Sequence, residues 1–161
     1  PLPAVTVPAP PSLPPVATSV SEPPGEGGIE VNGESISHAE SINHEGEKAY
    51  HAKQYDKALQ LYQEAIKNNP NYGQAYSNLG LLYQKIGNQS AALAACQKSI
   101  DVASGPNANT IKANSTYTIA KLYEEQGQWK NALDAFQTAY SYKPNNAYTQ
   151  GIARMKEKLG Q

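Results

Sequence analysis

Three histidines and several carboxylates near the start of the helical part of the sequence are the first candidates for chemistry. On one continuous helix a single stripe would carry Glu40, His44, Glu47 and His51. Neighbours in that stripe could bridge a metal ion, but His44 and His51 lie two turns apart, roughly 10 Å by helix rise. They cannot share one coordination shell. The sequence therefore favours a solvated helix face and predicts no metal and no cofactor.

The single cysteine, Cys96, is the one candidate nucleophile, and nothing in the sequence around it indicates activation. It occupies a position where a small buried apolar side chain is expected. No serine elbow, phosphate-binding loop or paired-carboxylate signature is present in the sequence. The sequence predicts a protein that is not an enzyme.

Composition narrows the class of partner. Thirteen Lys and Arg against fourteen Asp and Glu give a net charge of -1, which lacks the basic excess typical of nucleic-acid binding. No continuous run of about 20 apolar residues is present to span a membrane. The 161 residues are enough for one ordinary domain, which must be stabilised by packing because one cysteine cannot form an internal disulfide.

The N-terminal segment differs from the rest. Nine of the twelve prolines fall within residues 1–24, so residues 1–28 are predicted to form an extended arm, followed by a turn or linker over 29–38. Residues 1–47 hold seven acidic side chains and no Lys or Arg, whereas the remainder carries thirteen basic and seven acidic ones, or +6. We expect the arm to be either a recognition element or a passive tether. Its candidate apolar contacts are Val5, Val7, Leu13, Val16 and Val20.

The start of the sequence suggests a location. Because the sequence begins at Pro1 and a Pro/Ala-rich spacer follows, we expect an exported protein on the periplasmic or extracellular side of a bacterial envelope. It could be membrane-associated through a partner or a removed anchor. A cytoplasmic location is the alternative.

From residue 39 the pattern is a repeat. An Ala, an aromatic residue and an Ala at steps of four and three, then a Pro, occur as Ala58, Tyr62, Ala65 and Pro70, and again as Ala132, Phe136, Ala139 and Pro144. A looser copy lies between them, with Ala92, Cys96 and Ser99, and it is six residues longer near 103–110. Upstream of the looser copy stands Tyr76-x2-Leu79-Gly80-x2-Tyr83.

These residues resemble the tetratricopeptide repeat (TPR) family. The resemblance covers residues 39–146 as repeats 39–72, 73–112 and 113–146, with 147–161 as a capping helix. It implies an all-α, right-handed superhelix of three helical hairpins plus the cap. The expected helices span 38–52, 55–68, 72–86, 89–103, 110–126, 129–142 and 147–159, and the long loop at 103–110 is a candidate contact surface.

The resemblance also implies a concave groove lined by the first helix of each hairpin. Its exposed positions would include Glu40, Ser77 and the ten residues predicted to bind a partner: Asn43, Glu47, Tyr50, Gln74, Asn78, Leu81, Lys85, Asn114, Tyr117 and Lys121. The family's clamp for chaperone C-terminal carboxylates matches here to Asn43, Glu47, Asn78, Asn114 and Thr118. Only Asn78 fits that clamp, and Glu47 would repel a carboxylate.

The sequence thus predicts a non-enzymatic interaction or assembly module for protein partners, with no nucleic-acid ligand. A partner peptide would lie in the groove, and the arm would contact or tether the chain to a multi-protein complex. The alternative is a permanent structural subunit of a large, membrane-associated bacterial complex, held by its arm and convex face.

Overall fold

The computed structural model describes residues 33–161, and the predicted arm and residues 29–32 lie outside that range. Seven helices and no strand are found in the part described. They are α1 Gly33–His51, α2 Tyr55–Asn68, α3 Gly73–Lys85, α4 Gln89–Val102, α5 Ala108–Glu125, α6 Trp129–Tyr142 and α7 Asn146–Lys158. Consecutive helices pack as the hairpins α1/α2, α3/α4 and α5/α6, and α7 packs on α6. The predicted α-solenoid of three hairpins and a cap is confirmed for these residues.

The helix boundaries agree with the prediction to within two residues, except at the start of α1. The turn predicted over 29–38 is wrong for residues 33–38, which are helical. Glu34 instead lies in the first helical turn, where a negative charge interacts favourably with the helix dipole.

The predicted long loop at 103–110 is also shorter than expected. Residues 108–110 form the first turn of α5, which makes α5 five residues longer than α3. The extra residues of the second repeat are therefore absorbed mainly by helix extension. Only 103–107 connect α4 to α5.

Close approach within each of the first two hairpins depends on glycine. A Cβ at Gly46 would lie 2.6 Å from a ring carbon of Tyr62, and one at Gly80 would collide with Cys96 Sγ. Tyr62 and Cys96 are both buried beneath these glycines. Glycine is thus required at these two helix crossings by the buried side chains that face it from the second helix.

The third hairpin accommodates its buried aromatic ring in a different way. Ala120 replaces the glycine, and the ring of Phe136 instead lies against Gly151 of α7, where an added Cβ would be 2.6 Å from the ring. Phe136 is fully buried, and Met155 of α7 joins the same cluster. The capping helix is therefore part of the core of the third repeat.

The second repeat carries polar groups in its core. Ser115 on α5 donates to Ser99 on α4 at 2.8 Å, and Ser99 donates to the carbonyl of Gly73 on α3 at 2.8 Å. Both serines are fully buried. This relay satisfies the hydroxyls and joins three helices at the place where the repeat departs from its neighbours.

A neighbouring buried threonine lacks such a partner. Thr116 Oγ1 makes no hydrogen bond within residues 33–161, whereas Thr118 Oγ1 donates to the carbonyl of Asn114 at 3.2 Å. Replacing Thr116 by valine should raise the free energy of unfolding by about 1 kcal/mol, because a desolvated hydroxyl is removed and the shape is kept. Urea denaturation measures this. The matched Thr118→Val change removes a hydroxyl that is hydrogen-bonded, so equal stabilisation by both variants would contradict the explanation.

Candidate functional site

The concave face of the solenoid is formed by α1, α3 and α5. The N-terminal part of this face is closed by a network of amides around one carboxylate. Asn78 donates to Asn43 Oδ1 at 3.0 Å and to Glu47 Oε1 at 2.9 Å, Asn43 donates to the same Glu47 oxygen at 3.2 Å, and Gln74 donates to Asn78 at 3.0 Å. Four of the ten predicted groove residues therefore bind one another.

Two of the positions expected to be exposed are buried. Asn43 is 3% exposed because its amide is covered by the hydrogen bonds to Glu47 and Asn78. Ser77 is 5% exposed, since α1 and α5 pack on either side of α3 and a side chain as short as serine does not emerge between them. Neither side chain is free to meet a ligand in this arrangement.

Glu47 remains accessible at the centre of the network. Its side chain is 36% exposed, and its second oxygen, Oε2, lies 3.4 Å from His44 Nδ1. Both hydrogen bonds from the asparagine amides go to Oε1. The carboxylate is thus held in place by two amides while its other oxygen faces a solvated side chain.

The middle of the concave face is an open depression of about 430 Å³. Its lining comes from all three helices and consists of Tyr50, Leu81, Gln84, Lys85 and Glu125. Leu81 is 41% exposed, which is unusual for a leucine that has helices on both sides. Gln84 donates to Glu125 at 2.9 Å and so links α3 to α5 along the edge of the depression.

The C-terminal part of the face is organised by Glu124. Lys121 donates to Glu124 at 2.6 Å, and Arg154 of α7 donates two hydrogen bonds to it at 3.0 and 3.2 Å. Burial raises the pKa of Glu124, but the hydrogen bonds and charges of Arg154 and Lys121 more than offset this, so its pKa lies below the ordinary value. Three charged groups therefore form one cluster with an excess positive charge.

Aromatic contacts complete this end. Tyr117, a predicted groove residue, is partly buried between Phe136 and Tyr148, with ring centroids 5.8 and 5.2 Å away. Tyr148 also donates to Asn114 at 3.4 Å. The sequence did not predict that Arg154 and Tyr148 of the cap would reach the groove, because they contact residues about thirty positions earlier. The amphipathic pattern of α7 predicts only that Arg154 lies on the solvent side of the helix, and its side chain is 46% exposed.

The groups considered for other chemistry lie apart from the groove or pair locally. Burial raises the pKa of Cys96 to about 12, despite a hydrogen bond with Thr118 that lowers it, so the thiol is protonated at neutral pH. Within residues 33–161, no three His, Cys, Asp or Glu side chains lie together as a metal-binding group. None of the helices described combines the length and apolarity needed to cross a membrane.

Two models of repeat families match this chain. One, described as tetratricopeptide repeat, matches residues 71–145, and the other, described as TPR repeat, matches residues 46–87. Together they cover residues 46–145, which is more than half of the 161-residue chain. The chain belongs to the tetratricopeptide repeat family.

Similar TPR proteins are found among curated sequences and solved structures. Small glutamine-rich tetratricopeptide repeat-containing protein 2 of Mycosarcoma maydis is 30% identical over 128 residues, covering 78% of this chain and 34% of that protein. Translocon at the outer membrane of chloroplasts 64 of Pisum sativum is 32% identical over 123 residues, covering 76% and 20%. The chain thus spans a fifth to a third of these relatives' length.

A solved structure shows the same TPR fold. The first TPR of Spaghetti (RPAP3), bound to the HSP90 peptide SRMEEVD, superposes with a TM-score of 0.70 at 16% identity, covering 83% of this chain and all of that one. At this level of identity the likeness concerns the fold. It supports the solenoid arrangement of α1 to α7.

Proposed function

We propose that this chain is a protein interaction module that binds a peptide segment of a partner on its concave face. One observation carries the proposal: Leu81 is exposed at the centre of a depression to which α1, α3 and α5 all contribute. An apolar side chain placed there, with Tyr50 beside it and polar groups at the rim, has the composition of an anchor site for an extended peptide. The peptide complex of Spaghetti supports the use of this fold for that purpose.

The way in which the peptide binds should differ from capture of an acidic tail. The HSP90 peptide bound by Spaghetti contains two glutamates and an aspartate. In this chain Glu47 occupies a position where the clamp would contact a carboxylate, and Asn43 and Asn78 are already hydrogen-bonded to it. We therefore propose a ligand other than an acidic C-terminal tail.

The experiment is selection of peptides from a phage-displayed dodecapeptide library on the full 161-residue chain. Peptides that use the depression should lose at least tenfold in affinity when Leu81 is changed to aspartate, because a charge replaces the apolar anchor. Tyr140→Asp is the matched control, since Tyr140 has the same 41% exposure but lies on α6, outside the depression. If no selected peptide distinguishes Leu81→Asp from Tyr140→Asp, the groove is not the binding site.

The N-terminal arm stays a prediction. Residues 1–28 lie outside the described residues, and the proposal that they contact or tether a complex rests on their proline content and acidic charge alone. The locations considered for this chain, at a bacterial envelope or in the cytoplasm, also stay predictions.

A further inference from the structure

The three helices of the concave face carry one residue each at equivalent repeat positions, and these three differ in chemistry. Glu47 on α1, Leu81 on α3 and Lys121 on α5 are separated by the two repeat lengths, so they occupy the same level of neighbouring helices. The hydrogen bond from Asn78 to Glu47 shows that α1 and α3 lie side by side at this level. The bond from Gln84 to Glu125 shows the same for α3 and α5.

The charges along this row run from negative to positive. At the α1 end, Glu47 is negatively charged and lies on the same helix as exposed Glu40. At the α5 end, Lys121 and Arg154 share the single carboxylate of Glu124, and the Arg154 side chain is 46% exposed. The exposed leucine lies between the two ends.

We infer that the groove binds a partner segment carrying a cationic side chain, then an apolar one, then an acidic one, set against Glu47, Leu81 and the Lys121/Arg154 pair. This inference rests on the proposed function and specifies its ligand. The carboxylate of Glu47 is held by Asn43 and Asn78 through Oε1, while Oε2 lies 3.4 Å from Nδ1 of His44, whose side chain is 66% exposed. A lysine or arginine of the partner can displace that solvated imidazole and donate to Oε2. The charge at α1 is negative, which is the opposite of what a site for acidic peptides requires.

The spacing of the ligand follows from the helices. Neighbouring packed helices lie about 8–10 Å apart, and a peptide in the extended polyproline II conformation advances about 3.1 Å per residue and turns every third side chain to the same face. The three side chains should therefore be about three residues apart. Residues 1–47 contain no Lys or Arg and therefore do not supply the cation, and the occupant of the groove in this proposal is a segment of a separate protein partner.

The test uses the peptides whose binding depends on Leu81. In that pool we expect Lys or Arg about three residues from an apolar residue, enriched at least threefold over the starting library. Selection on Glu47→Gln, which keeps the acceptor for Asn43 and Asn78, should return cations at library frequency. Glu45→Gln is the control on the same helix, because Glu45 pairs with Lys48 and takes no part in the Glu47 network, and it should leave the enrichment unchanged.

Fluorescence anisotropy with one selected peptide separates the outcomes further. Changing its cation to glutamine should weaken binding to the wild-type chain about tenfold and leave binding to Glu47→Gln unchanged. A tenfold loss that persists in Glu47→Gln, or a Leu81-dependent pool without cation enrichment, would overturn this inference and leave the proposed function standing. Failure to select any Leu81-dependent peptide would overturn both.

Discussion

Replacing Phe136 by alanine should lower the free energy of unfolding by about 3–5 kcal/mol, the cost of a large cavity in a packed core. The ring is fully buried, and it contacts residues on three helices: Tyr117 on α5, Gly151 on α7 and its own neighbours on α6. Collapse around the missing ring is limited because each of these helices is fixed by other contacts. Urea denaturation followed by circular dichroism at 222 nm measures the loss.

Tyr140→Ala provides the control for this change. Tyr140 lies one helical turn further along α6 and is 41% exposed, so its truncation should cost about 0.5 kcal/mol or less. A loss below about 1 kcal/mol for Phe136→Ala would show that the third repeat is not packed around this ring.

The repeat period explains why so much of the fold could be predicted. Alanines such as Ala58 and Ala132 mark the points where two helices cross closely, and the prolines mark where each hairpin ends. These requirements are local and recur along the chain. Both alanines are fully buried in the structure. α2 and α6 have the predicted bounds, because these markers lie within or next to the helices themselves.

The functional site was less predictable because its contacts connect distant residues. Asn43 and Glu47 were predicted to face a ligand, yet they bond to Asn78, more than thirty residues away. Arg154 is solvent-exposed and also reaches back thirty residues to Glu124, a contact that the sequence did not predict. Periodicity shows which side of a helix is apolar, but it does not show which polar groups on neighbouring helices will meet.

The polar pairings have a consequence for binding. The Glu47 network and the Glu124 cluster occupy the two ends of the concave face, so the depression around Leu81 lies between two ordered, charged groups. An incoming peptide meets side chains that are already held in position. Preorganisation of this kind reduces the ordering cost of binding and makes the order of charges in the peptide matter.

Changing Gly151 to valine should detach the capping helix from the third repeat. The Cβ alone would lie 2.6 Å from two ring carbons of Phe136, so the ring or α7 must shift, at a cost of about 1–3 kcal/mol. Because α7 is the last helix of the solenoid, the loss should be concentrated there. Hydrogen exchange should show faster exchange of the α7 amides, including that of Met155, and little change in α1 to α4. Ala153→Val, an exposed site on the same helix, should leave that exchange nearly unchanged.

The double variant Phe136→Ala/Gly151→Val tests whether the two residues act through one contact. The cavity left by the ring is adjacent to the new valine, so the valine should partly fill it instead of colliding with it. The double variant should then be less destabilised than the sum of the single changes, by about 1 kcal/mol or more, as expected for residues in direct contact. Additive losses would mean that Gly151 is required for another reason, and that the cap does not complete the core of the third repeat through Phe136.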